Sequence, residues 1–313
     1  MLKQFDHLKA VECGTLAMDS SWGSQPPKSA ALQDVQYVLL SPHDAENDPL
    51  GLKVLHEDVR RALSDLDKTL LNGYLCSERD AGVDELREEI LRTCPGGISI
   101  SVQTNRGICN ANRNADNGEI PDIWLPEQEK ILVPILRCMH REILLATDII
   151  LHNIVGARKN VKLVCLHSMD PCSIPENLRP ALSHRTLEEY VGAQGLPRSE
   201  KTRRKQDFIT GEKNGPDLSA TAMYKAMQGA FTSDRIPWAV NEPYATGESY
   251  PDFGYMQEFP GQVALIDVTK DQLCKGEVTA TYSTFDSRHP EPNPDKVAQM
   301  AVYFKRGLEA VNV

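Results

Sequence analysis

Three apolar runs constrain this chain more than any other feature. They are Val35-Gln36-Tyr37-Val38-Leu39-Leu40-Ser41, Val161-Lys162-Leu163-Val164-Cys165-Leu166 and Gln262-Val263-Ala264-Leu265-Ile266-Asp267-Val268. Each is short, aliphatic and bounded by polar or turn residues, the signature of a buried strand. Pro42 stops the first. Gly97–Val102 alternates like a further strand, and Ile236–Val240 reads as a short one. Between them lie helical patterns. Leu52, Leu55, Val59, Leu63, Leu66 and Leu70 recur at helical spacing over 52–71. Val83–Leu91 predicts a second helix. Pro126–His152 predicts the longest, with Pro134 as a kink or break. Asp217–Phe231 reads as a helix with Asp217 or Ser219 as N-cap. Pro294–Val311 closes the chain, with Val297, Met300, Ala301, Phe304 and Leu308 on one face. Strands interleaved with helices predict one α/β domain with a central mixed, mostly parallel sheet flanked by helices. Residues 1–30, ending in Ser24-Gln25-Pro26-Pro27-Lys28, read as an irregular N-terminal arm, and 31–313 as the domain.

In such sheets, ligands bind beyond the carboxyl ends of the strands, so the polar residues there are the first to weigh. Composition narrows the ligand. The chain carries 34 Lys and Arg against 44 Asp and Glu, a net charge of −10. That argues against a nucleic-acid binder, whose affinity rests on neutralising phosphates. A small anionic substrate needs only one or two local cations. No apolar run approaches the roughly 20 residues of a membrane span. Met1–His7 lacks the basic-then-apolar pattern of an export signal. The eight cysteines form no Cys-x-x-Cys pair and read as reduced thiols of a cytoplasmic protein. The expectation is a soluble acidic protein acting on a small molecule, with no nucleic-acid or membrane partner.

Five constellations carry chemistry. After the first strand comes Ser41-Pro42-His43-Asp44-Ala45-Glu46. A turn can aim His43 and Glu46 at one point, and imidazole plus carboxylate suits a borderline cation such as Zn²⁺. The alternative is a polar loop with Glu46 in water. After the second strand comes Leu166-His167-Ser168-Met169-Asp170. His167 is placed either as a third ligand, leaving a fourth position for water, or as a hydrogen-bonded structural histidine. Third is Cys109-Asn110-Ala111-Asn112-Arg113-Asn114, where the Arg113 fork suits a carboxylate and Asn112 can donate beside it. The alternative is an Asn-rich turn with a surface arginine. Fourth is Asn241-Glu242-Pro243-Tyr244-Ala245-Thr246-Gly247-Glu248, a shaped loop whose Tyr244 either donates to an oxyanion or packs on the turn. Fifth is Asp267 inside an apolar strand, either a carboxylate of raised pKa suited to general-base work, or one turned to solvent or paired with Lys270. Cys165, two residues before His167, reads as core packing rather than a nucleophile. The basic stretch Arg198–Lys205 reads as a solvated loop, with an anion site or a lid over an acidic substrate as the alternative.

These elements, in this order, resemble the N-formylglutamate amidohydrolase family. The matching pieces are the strand leading to Pro42-His43, the Asn112-Arg113 element and Leu166-His167-Ser168-Met169. They continue with Thr210-Gly211-Glu212 and its helix, Asn241-x-Pro243-Tyr244-x-x-Gly247, and Ile266-Asp267-Val268, over roughly residues 35–275. The resemblance implies a phosphorylase/hydrolase-like fold related to zinc carboxypeptidases and succinylglutamate desuccinylase. It implies zinc, or another divalent transition metal, on His43, Glu46 and His167. It implies a substrate carboxylate on Arg113 and Asn112, with Asn241 as a further binding residue. It implies Asp267 as general base, where the family usually has Glu, and Tyr244 at the oxyanion. The stretch Asp44-Ala45-Glu46 is closer to the desuccinylase pattern, and the loop has Tyr244-Ala245-Thr246-Gly247 where two glycines are usual.

The expected function is metal-dependent hydrolysis of an N-formyl or other N-acyl amide on a small carboxylate-bearing substrate. The alternatives are a carboxypeptidase-like or desuccinylase-like hydrolase, or a non-catalytic small-acid-binding relative.

Overall fold

The computed structural model describes residues 16–21, 31–42, 55–77, 80–113, 124, 126–172, 203–275 and 291–310. Seven strands form one sheet: β1 (Leu16–Ser20), β2 (Tyr37–Ser41), β3 (Gly97–Val102), β4 (Lys162–Met169), β5 (Gln206–Ile209), β6 (Trp238–Val240) and β7 (Val263–Thr269). Their spatial order is β1-β3-β2-β4-β7-β5-β6. Four neighbouring pairs are parallel; β1 against β3 and β5 against β7 are antiparallel. This is the predicted mixed, mostly parallel α/β architecture.

The strands alternate between two cores, as the period of two requires. On one face Tyr37, Leu39, Val164, Leu166, Ala264 and Ile266 meet α3 (Val83–Thr93), α5 (Thr221–Ser233) and α7 (Pro294–Glu309). On the other, Val38, Leu40, Leu163, Cys165, Val263 and Leu265 meet the end of α4 (Pro126–Leu151) and α6 (Pro251–Glu258). The five apolar residues predicted for one face of α7 are all buried. Asn293 caps that helix by accepting from the Asp295 and Lys296 amides.

Several elements depart from the sequence reading. The stretch taken as an irregular arm contributes β1, whose Asp19 pairs with buried Arg87 at 2.9 Å. The single helix predicted over 52–71 is two, α1 (Glu57–Ser64) and α2 (Lys68–Ser77). Asp67 divides them, because its carboxylate accepts from the Thr69 and Leu70 amides and so starts a new helix. Pro134 does not break α4. It lies on the exposed side, where water can satisfy the carbonyl it leaves free. The α5 helix starts later than predicted: Asp217 binds Ser219 rather than the helix, and Ala220 is the N-cap. Most relevant to function, β4 runs past Leu166 to Met169, pairing with β7 throughout.

Among the described residues no helix is long and apolar enough to cross a membrane. Cys94, Cys109, Cys138, Cys165, Cys172 and Cys274 are free thiols.

Gly97 lies opposite Tyr37, whose hydroxyl donates to the Cys94 carbonyl at 2.6 Å. A Cβ at Gly97 would overlap the Tyr37 ring. Gly97→Ala should therefore lose about 3 kcal/mol, the upper end of overpacking costs. Urea unfolding should show this as a lower midpoint at unchanged slope.

Candidate active site

The extension of β4 places His167 level with Asp267 of β7, and β5 places Asp207 level with Asp267 on its other side. The three side chains therefore form a row on one sheet face at the carboxyl ends of β4 and β7. Their exposures differ. His167 and Asp207 are buried, whereas Asp267 is partly buried.

His167 sits between two carboxylates. Its Nε2 lies 3.2 Å from Asp252 Oδ2, and its Nδ1 lies 3.4 Å from Asp80 Oδ2. Asp252 stands in the first turn of α6, which Phe253, Tyr255 and Met256 anchor into the core. The Tyr255 hydroxyl also donates to Asp148 of α4 at 2.8 Å. Asp80 lies three residues before the start of α3, and Arg106 approaches it at 3.9 Å. Burial alone would lower the His167 pKa. Its hydrogen bonds to Asp252 and Asp80 outweigh that and raise it to about 10. For Asp267, burial raises the carboxyl to about 7, against the opposing pull of His167. Cys165 is packed in the core, its thiol pushed well up by burial and then by Asp252. It acts as packing, as read from the sequence.

The fourth constellation is organised by Asp207. Its two oxygens accept from the Glu242 and Tyr244 amides, both at 3.0 Å. Burial raises this carboxyl to about 6, opposed by those amide bonds. Asn241, in a left-handed conformation with φ 53°, accepts from the Thr210 amide and donates to the Thr210 hydroxyl. Both ends of its amide are thus engaged within the fold. Asn241 thus fastens the loop to Thr210. Tyr244 is 40% exposed and close enough to Asp267 to feel its charge. Its hydroxyl accepts from Arg204 Nη1 at 2.8 Å, which leaves its own proton to donate.

Arg204 belongs to the stretch read as a solvated charge run, of which residues 203–205 are described. Arg203 and Lys205 are exposed, as that reading expects, and each of the three also has a partner. Arg203 pairs with Asp271 at 2.9 Å, Lys205 lies 3.8 Å from Glu242, and Arg204 covers the Tyr244 ring at 5.3 Å.

The third constellation reaches the site from the other side. Arg113 lies 4.3 Å over the ring of Tyr250, which precedes α6 and thus Asp252. Its Nη1 donates to the Asn112 carbonyl, and Asn112 Oδ1 is buried without a hydrogen-bond partner. Beneath the loop, His140 of α4 faces the backbone of Asn110 and Arg113, and burial lowers its pKa.

His43 and Glu46, the other two predicted metal ligands, lie outside the described residues. Pro42, next to His43, is described and buried at the end of β2, the strand beside β4. Among the described residues no group of three His, Cys, Asp or Glu forms a ligand set. The donor chemistry nevertheless fits a divalent cation of the zinc type. His167, Asp252, Asp80 and Asp267 combine imidazole with an excess of carboxylate. A metal on one ring nitrogen would leave the other to a carboxylate, the usual arrangement that fixes a ligand histidine.

Sequence reasoning missed Asp80, Asp252 and Asp207. Asp252 resembles an ordinary first-turn acid. Asp207 carries the signal that exposed Asp267, a carboxylate in an apolar run, but its four-residue strand is too short to read.

No family model and no curated protein matches the chain. Among solved structures it is similar to an N-formylglutamate amidohydrolase from Ralstonia eutropha JMP134, with TM-score 0.54 and 14% identity over 95% of this chain and 98% of that one. A gene product of Agrobacterium tumefaciens gives TM-score 0.49 and 12% identity over 95% of both chains. The first likeness shows a shared fold; at 14% identity it shows no more.

Asp207→Asn leaves a single carbonyl oxygen for two amides. Hydrogen exchange at Glu242 or Tyr244 should then speed up about tenfold or more, because each such bond contributes about 1 kcal/mol or above. Full protection of both amides would show that the loop is held some other way.

Proposed function

We propose that the protein is a metal-dependent hydrolase of an N-formyl or other N-acyl amide bond on a small carboxylate-bearing substrate. The observation that carries this reading is Asp267. It is the partly buried member of the carboxylate–imidazole row, level with His167, at the sheet edge where ligands bind in such folds. The fold shared with the Ralstonia eutropha amidohydrolase supports it.

In this reading His167, with His43 and Glu46, would hold zinc or a related divalent metal, which when bound would supply Lewis-acid chemistry for a water and the acyl oxygen. Asp80 or Asp252 keeps the His167 ring oriented. Asp267 takes a proton from the attacking water. It returns that proton to the departing nitrogen as the C–N bond breaks, so amide and water become acid and amine. Tyr244 donates its free proton towards the oxyanion. Arg113 presents its fork to the substrate carboxylate, held flat by Tyr250.

Amine release from a panel of N-formyl and N-acyl amino acids tests the reading. The wild type should turn over at least one member. Asp267→Asn should lower kcat by about 100-fold or more, the scale of a general base. Asp267→Glu, one methylene longer, should stay within about tenfold of wild type. Undiminished turnover by Asp267→Asn would remove Asp267 from the mechanism.

A further inference from the structure

The sheet edge opposite the candidate active site carries a cavity of its own. Strands β2 and β4 begin there, with Tyr37 level with Lys162, and both side chains line the cavity. The last turn of α7 and the residues just after α3 close over them. The space is about 120 Å³. Buried Tyr37, Cys94 and Leu308, together with Pro95, form its apolar walls. These walls offer surface rather than hydrogen bonds. The Tyr37 hydroxyl is taken by the Cys94 carbonyl at 2.6 Å, and burial keeps the Cys94 thiol protonated. An apolar cavity of about 150 Å³ holds a benzene ring. A space slightly smaller takes one ring or a short branched chain whose polar end stays outside.

The charged lining says what that polar end is. Lys162 and Lys305 face the space against one carboxylate, Glu309. Glu309 reaches Lys305 at 3.9 Å, but both side chains are well exposed, so the pair is weak. Among the described residues no carboxylate pairs with Lys162. Its ammonium donates to the Gly261 carbonyl at 3.0 Å, and burial lowers its pKa, which a counter-charge would reverse. The carboxyl ends of α3 and α7 also face this edge, and helix ends of that sign favour cations. Their carbonyls are already engaged. Ile90 accepts from the Cys94 amide, Cys94 from the Tyr37 hydroxyl, and Arg306 from the Ala310 amide. Two ammoniums against one exposed carboxylate therefore leave a place for one negative charge, next to an apolar slot.

We infer that this cavity is a second small-molecule site, one that binds a monocarboxylate carrying a single apolar ring or short branched chain, with its charge on Lys162. A dianion fits less well, because Glu309 would face its second charge. The inference does not rest on the hydrolase reading. His167 lies at the other end of β4, and no residue lining the cavity belongs to the candidate active site.

Titration with benzoate, benzamide, benzylamine and acetate, followed by backbone amide NMR shifts, tests this and locates the binding. The four probes separate the charge from the ring. Benzoate should shift the Cys94 and Leu308 amides saturably. It should bind there at least about tenfold tighter than benzamide, the value of one charge-assisted pair. Acetate, which lacks the ring, should be weaker than benzoate by a similar factor. Lys162→Met keeps the aliphatic stem and should bring benzoate and benzamide within about threefold. Lys162→Arg should keep the preference. Benzoate and benzamide binding alike to the wild type, tighter binding of benzylamine, shifts confined to the His167 edge, or an unchanged ratio in Lys162→Met would each overturn the site. Turnover enters none of these arms, so the hydrolase reading stands or falls separately.

Discussion

The architecture of the site depends on one buried imidazole held between two carboxylates. His167 ties β4 to Asp252 at the head of α6 and to Asp80 at the head of α3. A charged imidazole out of water is costly unless partners surround it. Here both nitrogens meet an oxygen, so three elements distant in sequence are drawn to one point. With Asp267 beside them, the acids outnumber the imidazole; Arg106 lies 3.9 Å from Asp80 and its charge also reaches Asp267. A centre with that balance favours a cation more strongly than a neutral solute.

The second determinant is the reversal of β5. A parallel strand there would present its amino end at the site. Running against β7, β5 instead brings Asp207 level with Asp267 and starts its chain at the carboxyl edge. Asp207 then faces the Asn241–Gly247 loop and fixes two of its amides. That in turn places Tyr244 near Asp267 and gives Arg204 a ring to lie on. The short antiparallel step thus converts a strand register into the position of a loop.

Much of this was legible in the sequence wherever a long pattern repeated. The runs around Leu39, Val164 and Ala264, and the helical face from Val297 to Leu308, led directly to the parallel core and its closing helix. The register that aligns His167 with Asp267 was not legible, because polar residues at a strand end look the same whether the strand continues or stops. Nor was the helix break at Asp67, where one carboxylate outweighs an uninterrupted apolar spacing. Asn241 was singled out for its residue type and loop; what the sequence did not show is that it ties that loop to Thr210, 31 residues away. For Arg204, composition made it one member of a solvated run, and only the fold shows the ring beneath it.

The proposed hydrolase needs a metal on His167 together with His43 and Glu46. Elemental mass spectrometry on protein purified without chelator is the experiment to make, with His43→Ala and His167→Ala measured alongside. Close to one zinc or related transition metal per wild-type chain, lost in both variants, is the expected result. A wild type that holds no metal after reloading with zinc, or variants that keep it in full, would remove the metal from the mechanism.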